Sequence, residues 1–494
     1  MKKKKISRRA VFTATVLLVL VFMAACRLKQ EAVKEEPVQQ VEIEVAAPET
    51  QEPVEEVPKA EPSGEADEEA RAQAERENFL TDYESYPLLN TTPIKCLSME
   101  VGGTADEVRF NWMSPSGQAG QITWYTVQNG DFQIYQAECF ASSTLPGYYV
   151  NKVTVPNIQP GFSYVYRVGN DAGGWSPEYR YDVPEENNES MTFLVTTDAQ
   201  IGQAQYDDIS VTIDTWDKTV TRLTNYVPEA QFLFHLGDQV GDYGSAEHYD
   251  GFLNHLGLYK IPLAPVVGNH DVPNEDSMEE LGYPGLPYFY EHFNVPNRSG
   301  NYGNSQYDKD GDYYFIRGDV LFIVLNSSTI QPTDIHEEYV PQVIAEHPDT
   351  KWRVLIQHYP AYSSVAKYQE KLDGWISASL AYIAEDNDID LVLTGHDHAY
   401  SRSFFTNRKC EPNKEYDYAS GATVVNPEGT MYVTCGTASG CFYQAVTPED
   451  RIYFQGQPEV PTALRIDVTD TELHLTTYLV DSWSVYDEYT IRKE

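Results

Sequence analysis

Leu263-Ala264-Pro265-Val266-Val267-Gly268-Asn269-His270-Asp271 is an apolar run that ends in a glycine followed by three side chains able to hold metal or move protons. The arrangement recurs along the chain. Thr192 to Val195 precedes Asp198, Phe232 to Phe234 precedes Gly237-Asp238, Arg353 to Ile356 precedes His358, and Leu391 to Leu393 precedes Gly395-His396-Asp397-His398. Between these runs lie stretches of helical period. Ile213 to Tyr226 spaces Trp216, Val220 and Leu223 along one face, and Lys371 to Ala384 does the same with Leu372, Trp375, Ile376, Leu380 and Ile383. Short buried strands alternating with amphipathic helices predict an α/β domain from about Asn188 to Glu494. Oxygen and imidazole donors then fall at the carboxyl ends of successive strands, where open α/β sheets gather their loops.

Singly, these signals carry little. An aspartate after a strand commonly caps a helix, Gly-Asp is a common turn, and a lone histidine is more often hydrogen-bonded structure than a ligand. Their ordered conjunction is different. With it, the segment resembles the calcineurin-like metallophosphoesterases, and within them the purple acid phosphatase-like branch. Asp312-Tyr313-Tyr314-Phe315, Gly318-Asp319-Val320 and Leu325-Asn326-Ser327 are similar to that family's central hairpin, and Ala399-Tyr400-Ser401-Arg402 follows the last histidine as it does in the branch.

The resemblance implies a β-sandwich flanked by helices and a centre of two metal ions, Zn, Mn or Fe. Carried over residue by residue, it puts Asp238 between the metals, Asp198 and His398 on the first, and Asn269, His358 and His396 on the second. Two such cations about 3.5–4 Å apart repel, so a carboxylate must sit between them. Neutral imidazole and amide donors add no anionic charge and leave the centre cationic enough to attract phosphate. The implied reaction is hydrolysis of a phosphorylated small molecule, a phosphomonoester, by a hydroxide that bridges the metals. His270 is expected to protonate the leaving alkoxide, with Asp271 orienting its ring. Arg402 is a candidate phosphate contact, its alternative a structural ion pair. A phosphodiesterase or nucleotide-processing hydrolase of the same fold is the second reading, and a non-catalytic surface-binding protein the third.

Two positions depart from the family pattern. Where the purple enzymes carry a metal-binding tyrosine three residues after the bridging aspartate, this chain has Gly241, with Tyr243 two positions late. Two residues after the first aspartate stands Gln200, either a weak oxygen ligand of the first metal, a support for a metal-bound water, or a polar loop residue.

Upstream, residues 92–187 read as all-β. Val108 to Trp112, Gln121 to Tyr125 and Lys152 to Val155 alternate with a period of two, separated by turn residues such as Gly102-Gly103, Asn129-Gly130 and Pro146-Gly147. Ile158 to Val168, followed by Gly174-Trp175-Ser176, resembles the late strands of a fibronectin type III-like sandwich. Tyr164, Tyr166 and Val168 form its predicted inward face.

The N-terminus reads as a processing segment. Lys2 to Lys5 precede an apolar run from Ala10 to Ala25, which closes on Met23-Ala24-Ala25-Cys26. This is the pattern of a secretory signal over residues 1–25, and Cys26 resembles the cysteine of a bacterial lipobox. Lipid on that thiol would hold the protein on the outer face of a bacterial membrane, with an ordinary secretory signal or an anchor helix as the alternative. Ser7-Arg8-Arg9 leaves the choice between Sec and twin-arginine export open. Residues 26–91 are rich in Glu, Val, Ala, Pro and Gln, with no aromatic residue between Phe22 and Phe79, and read as an acidic, disordered tether.

The formal net charge of −40 excludes nucleic-acid binding through a basic face, and any phosphate-bearing substrate needs a local cationic centre. All 11 histidines lie between His235 and His474, which confines imidazole chemistry to the α/β segment. With Cys26 reserved for lipid, five cysteines remain. Cys96 with Cys139 and Cys410 with Cys441 are the expected disulfides, and Cys435 a buried thiol. Nothing in the sequence sets the oligomeric state.

Overall fold

Period-two patterning folds as read. The strands Gln121–Thr126 and Ser163–Asn170 pair antiparallel and bury Ile122, Trp124, Tyr164, Tyr166 and Val168 on one face. Trp124 stacks on Tyr164 at 4.8 Å and Tyr166 lies 4.9 Å from Phe110 on the facing sheet, so aromatic packing fills the sandwich. The computed structural model describes residues 91–185, 190–203, 205, 208–273, 287–299, 311–328, 333–372 and 376–494. The expected leader, Cys26, the tether and the junction at 187–188 lie outside these residues.

The facing sheet of the sandwich does not stop at the domain boundary. Lys95–Val101 pairs with Glu107–Ser114 on one side and, in parallel through Glu100 and Leu263, with Leu263–Pro265 on the other. One eleven-stranded sheet therefore runs from the sandwich into the α/β module, where Ser190–Thr196, Leu233–His235 and Leu263–Pro265 lie side by side and parallel. A seven-stranded sheet faces it, with Val320–Val324, Trp352–Ile356, Leu391–Thr394 and Met431–Thr434 parallel in that order. The expected central hairpin is present, Tyr313–Arg317 against Val320–Val324.

Between the two sheets Phe193, Phe232, Phe234, Phe315 and Phe322 form one aromatic cluster with most contacts edge-to-face, for example 5.2 Å at 85° between Phe193 and Phe322. Rings from both sheets interlock there, which sets the sheet spacing and hence the spacing of the loops above. The helix Ser210–Tyr226 buries Trp216, Val220 and Leu223, and Trp216 also donates its indole N–H to the Phe252 carbonyl at 2.9 Å. The single helix expected over 371–384 is instead Ala366–Leu372 and Ile376–Asp386, with 373–375, including Trp375, outside the described residues.

The expected disulfides are absent: none of the five described cysteines is disulfide-bonded. Cys96 and Cys139 lie in one sheet, but the strands Glu107–Ser114 and Tyr149–Pro156 separate theirs. Three strand spacings are about 14 Å, far beyond what a disulfide spans. Cys441 packs against Ser439 and the Ala199 carbonyl, whereas Cys410 packs against the outer core of the seven-stranded sheet, so these two also fail to meet. Cys435 is buried as expected.

Glu100 stands at the seam between the modules. It is fully buried and accepts a hydrogen bond from Ser98 Oγ. Burial raises its carboxyl to about 7, against the opposing pull of the Ser98 hydroxyl and Lys152. A carboxyl raised on folding contributes stability below its unfolded value and loses it as pH climbs through the folded one. Glu100→Gln should therefore leave the melting temperature unchanged near pH 4.5 and raise it at pH 8, by the equivalent of roughly 3 kcal/mol. Thermal melts of both proteins at the two pH values check this, and an equal shift at both would refute it.

Candidate metal centre

Parallel strands from two facing sheets end at the same level, and their following loops meet. Asp198, Gln200, Asp238, His396 and His398 all adopt positive φ there, between 40° and 70°. Such strain in non-glycine residues is kept only where surrounding contacts enforce it. The glycines in the motif are required by close approach. A Cβ on Gly268 would lie 2.0 Å from the Asp238 amide nitrogen, and one on Gly395 would lie 2.1 Å from Thr197 Oγ1.

Two donor sets share one carboxylate. Asp238, His358 and His396 form one and Asp198, Asp238 and His398 the other, with donor atoms in each within 4.8 Å of one another and every residue buried. His358 Nε2 lies 3.4 Å from Asp238 Oδ1 and 3.2 Å from Asn269 Oδ1, while His398 Nε2 lies 3.2 Å from Asp198 Oδ1. The opposite nitrogens are committed to backbone: His358 Nδ1 to the Leu236 carbonyl at 2.8 Å and His398 Nδ1 to the Cys441 carbonyl at 2.6 Å. An Nδ1–H donor leaves the Nε2 lone pair aimed into the cluster, the arrangement metal-ligating histidines adopt. His396 is held by its ring, 4.5 Å from Tyr359 and 4.3 Å from Tyr368.

The residues fit a pair of metal ions. Asp198 Oδ1 and Gln200 Oε1 are buried with no hydrogen-bond partner, an expensive state unless something positive completes them. Burial pushes the Asp238 carboxyl up, but His358 and His270 outweigh it and hold it below the ordinary range. His396 is held well below the usual imidazole value by burial and by its neighbour His358, so it is a neutral donor.

Several expected roles change. Asp271 does not orient His270. Its carboxylate accepts the backbone N–H groups of Gly268 and Asp238, both at 2.8 Å, and of Gln239 at 3.0 Å, which leaves no oxygen for the imidazole and clamps the Asn269 loop to the Asp238 loop. His270 is 36% exposed with Nε2 4.0 Å from Asp238 Oδ2, and its backbone N–H donates to Asp238 Oδ1 at 2.8 Å. Arg402 is not a phosphate contact. It is fully buried and forms a two-pronged ion pair with Asp487 at 2.7 and 3.0 Å, with Tyr489 stacked 4.3 Å away. Gln200 turns its amide N–H to Asp238 Oδ2 at 2.8 Å, tying the two metal-binding loops together.

Sequence reasoning missed the backbone carbonyls of Leu236 and Cys441, which no side-chain pattern could announce, and the part played by Asp397. That residue accepts from Ser363 Oγ at 2.8 Å and Ser364 N at 2.7 Å and so moors the His396–His398 loop to the segment after His358. A buried Asp between two ligand histidines was the available signal.

Residues 191–400 match the calcineurin-like phosphoesterase family, and residues 95–182 match the purple acid phosphatase N-terminal domain. A purple acid phosphatase from yellow lupin (Lupinus luteus) seeds superposes with a TM-score of 0.66 at 16% identity, over 82% of this chain and 75% of that one. GAP50, the anchor in the inner membrane complex of Plasmodium, aligns at 13% identity with a TM-score of 0.40, over 62% of this chain and 90% of that one. The fold and the buried Asp/His centre define a metal-dependent phosphoric ester hydrolase. Within that class, residues 191–400 are a calcineurin-like phosphoesterase domain and residues 95–182 a purple acid phosphatase N-terminal domain.

Gly241 bears on colour. A Cβ there would lie 2.9 Å from the backbone of Gln203, so the loop cannot seat a tyrosine at this position, and Tyr243 instead packs edge-on against Tyr288 at 5.2 Å. Without a tyrosinate the first site is less selective for Fe(III). The metal-loaded protein should be colourless. A visible absorption band that disappears in Tyr243→Phe would show that Tyr243 reaches the metal after all.

Proposed function

We propose that this chain is a phosphomonoesterase held outside the cell by a lipid on Cys26. The observation that carries the catalytic part is the carboxylate of Asp238 shared by two buried donor sets, with the more exposed imidazole of His270 beside it. The exported, membrane-held location rests on the sequence pattern ending at Cys26.

Asp198, His398 and Asp238 would hold one metal, and Asp238, Asn269, His358 and His396 the other, Gln200 serving mainly as a brace on Asp238. A metal pair held by these residues would supply Lewis acidity toward a phosphoryl oxygen and toward water. The chain's own contribution is positional. Asp271 and the N–H groups it collects hold Asp238 and Asn269 in one geometry, so little reorganisation is needed when substrate arrives. His270 is fixed through its backbone to Asp238 while its ring faces the open side, where it can give a proton to a departing alkoxide. What favours monoesters is the likeness to the purple acid phosphatase branch.

The test is hydrolysis of 4-nitrophenyl phosphate and bis(4-nitrophenyl) phosphate by the purified full chain, with and without chelator. Expected are a kcat/KM for the monoester about tenfold or more above that for the diester, abolition by chelator, and recovery with Zn or Mn. Asp238→Asn should lose at least two orders of magnitude of kcat, on the order of 3 kcal/mol. A preference for the diester would install the nucleotide-processing reading, and activity indifferent to chelator would remove both. In cells, Cys26→Ser should release the enzyme from the membrane fraction.

His270→Ala should separate leaving groups. Alkyl phosphates, whose alkoxides need a proton, should slow about 100-fold or more, while 4-nitrophenyl phosphate slows only a few fold. Equal losses would assign His270 to positioning.

A further inference from the structure

Arg317 ends the strand Tyr313–Arg317 and is 6% exposed. Its Nη1 donates to the carbonyls of Gly102, at 3.3 Å, and Ile316, at 2.8 Å, and no carboxylate among the described residues pairs with it. Arg109, Arg402, Arg451, Arg465 and Arg492 each hold one. In a chain with a formal charge of −40, a buried arginine that pairs with no carboxylate among the described residues is an exception. A guanidinium carries five N–H donors in a planar fork, and two carbonyls do not exhaust it.

The remaining donors have somewhere to point. Arg317 lines a cavity of about 290 Å³ between the sandwich and the α/β module, and none of the candidate metal ligands reaches it. Its walls are apolar where Val108, Met191, Trp352 and Val468 contribute, all of them buried. Carboxylates occur at its edge. Glu107 is already paired with Arg109 at 2.6 Å, and Asp319 and Asp470 are exposed. Burial lowers the Arg317 guanidinium to about 10, which leaves it charged at neutral pH. Glu107 and Asp106 offset the cost of burying this cation only through space, and an oxyanion on its remaining donors would offset it further.

We propose that this cavity binds a small organic anion, its oxyanion group held by Arg317 and its apolar body packed against Trp352 and Met191. The volume is at the lower end of ligand cavities, which run roughly 300–1,000 Å³, and suits one ring or a short chain rather than a polymer. Carboxylate and phosphate share this chemistry. The site lies on the seam between the modules and is separate from the catalytic centre.

Isothermal titration of the full, metal-loaded chain with 3-phenylpropionate and with phenylphosphonate tests the site and distinguishes the two oxyanions. Expected is saturable one-to-one binding of at least one probe, weakened about tenfold or more by Arg317→Met and less by Arg317→Lys, which keeps the charge without the fork. The same binding should persist in Asp238→Asn, which removes any contribution from the metal centre. Turnover of 4-nitrophenyl phosphate by both Arg317 variants should match the wild type and so verify their fold. Equal affinity in wild type and Arg317→Met, binding lost in Asp238→Asn, or no binding of either probe overturns the proposal.

Discussion

Three carboxylates, Asp198, Asp238 and Asp271, are buried in one cluster of loops, and the strand ends are organised around making that tolerable. Removing even one such charge from water costs several kcal/mol unless partners replace the solvent. Each of the three is handled differently. Asp198 faces His398 and accepts the N–H of His396, Asp238 is surrounded by His358, Gln200 and the His270 amide, and Asp271 takes backbone N–H groups from two loops. Burial, and then the neighbouring charge of Asp238, push the Asp271 carboxyl well above its ordinary range, against the pull of the Gly268 N–H. The residual imbalance, together with the orphaned oxygens of Asp198 and Gln200, is what divalent cations bound there would correct.

The scaffold delivers this cluster because its strands are parallel and its two sheets are locked in register by aromatic rings. Ser190–Thr196, Leu233–His235 and Leu263–Pro265 from one sheet and Trp352–Ile356 and Leu391–Thr394 from the other end together, so loops distant in sequence need be only a few residues long to meet. The sandwich takes part mechanically. Its strand Lys95–Val101 borders Leu263–Pro265, the strand that leads into the loop of Asn269 and His270, so the outer module braces one wall of the site. Tyr166 of the sandwich reinforces the join with a hydrogen bond to the Tyr259 carbonyl at 2.9 Å.

The two candidate donor clusters were legible because metal chemistry restricts residue type, and because a buried strand followed by glycine and a donor leaves a local trace. The hairpin, the Ser210–Tyr226 helix and the inward face of the sandwich were legible for the same reason: periodicity is local. Asp271 and Arg402 misled because their neighbours in space are not their neighbours in sequence. Asp271 is adjacent to His270 in the chain yet serves Asp238, and Arg402 follows the ligand histidines yet is neutralised by Asp487, which lies on the last strand, Ser484–Arg492. The cysteines misled because parity says nothing of distance.

The sequence by itself determined the period of each element, the kinds of donor at each strand end and the glycine, not tyrosine, three residues after Asp238. Only the tertiary structure decided which of those donors converge, that one sheet runs through both modules, and that Arg317 lines a cavity with no carboxylate paired to it among the described residues. The physical reason is range. Propensity and patterning act over a few residues, whereas hydrogen-bond satisfaction and charge compensation are settled among whichever groups the packed sheets bring together.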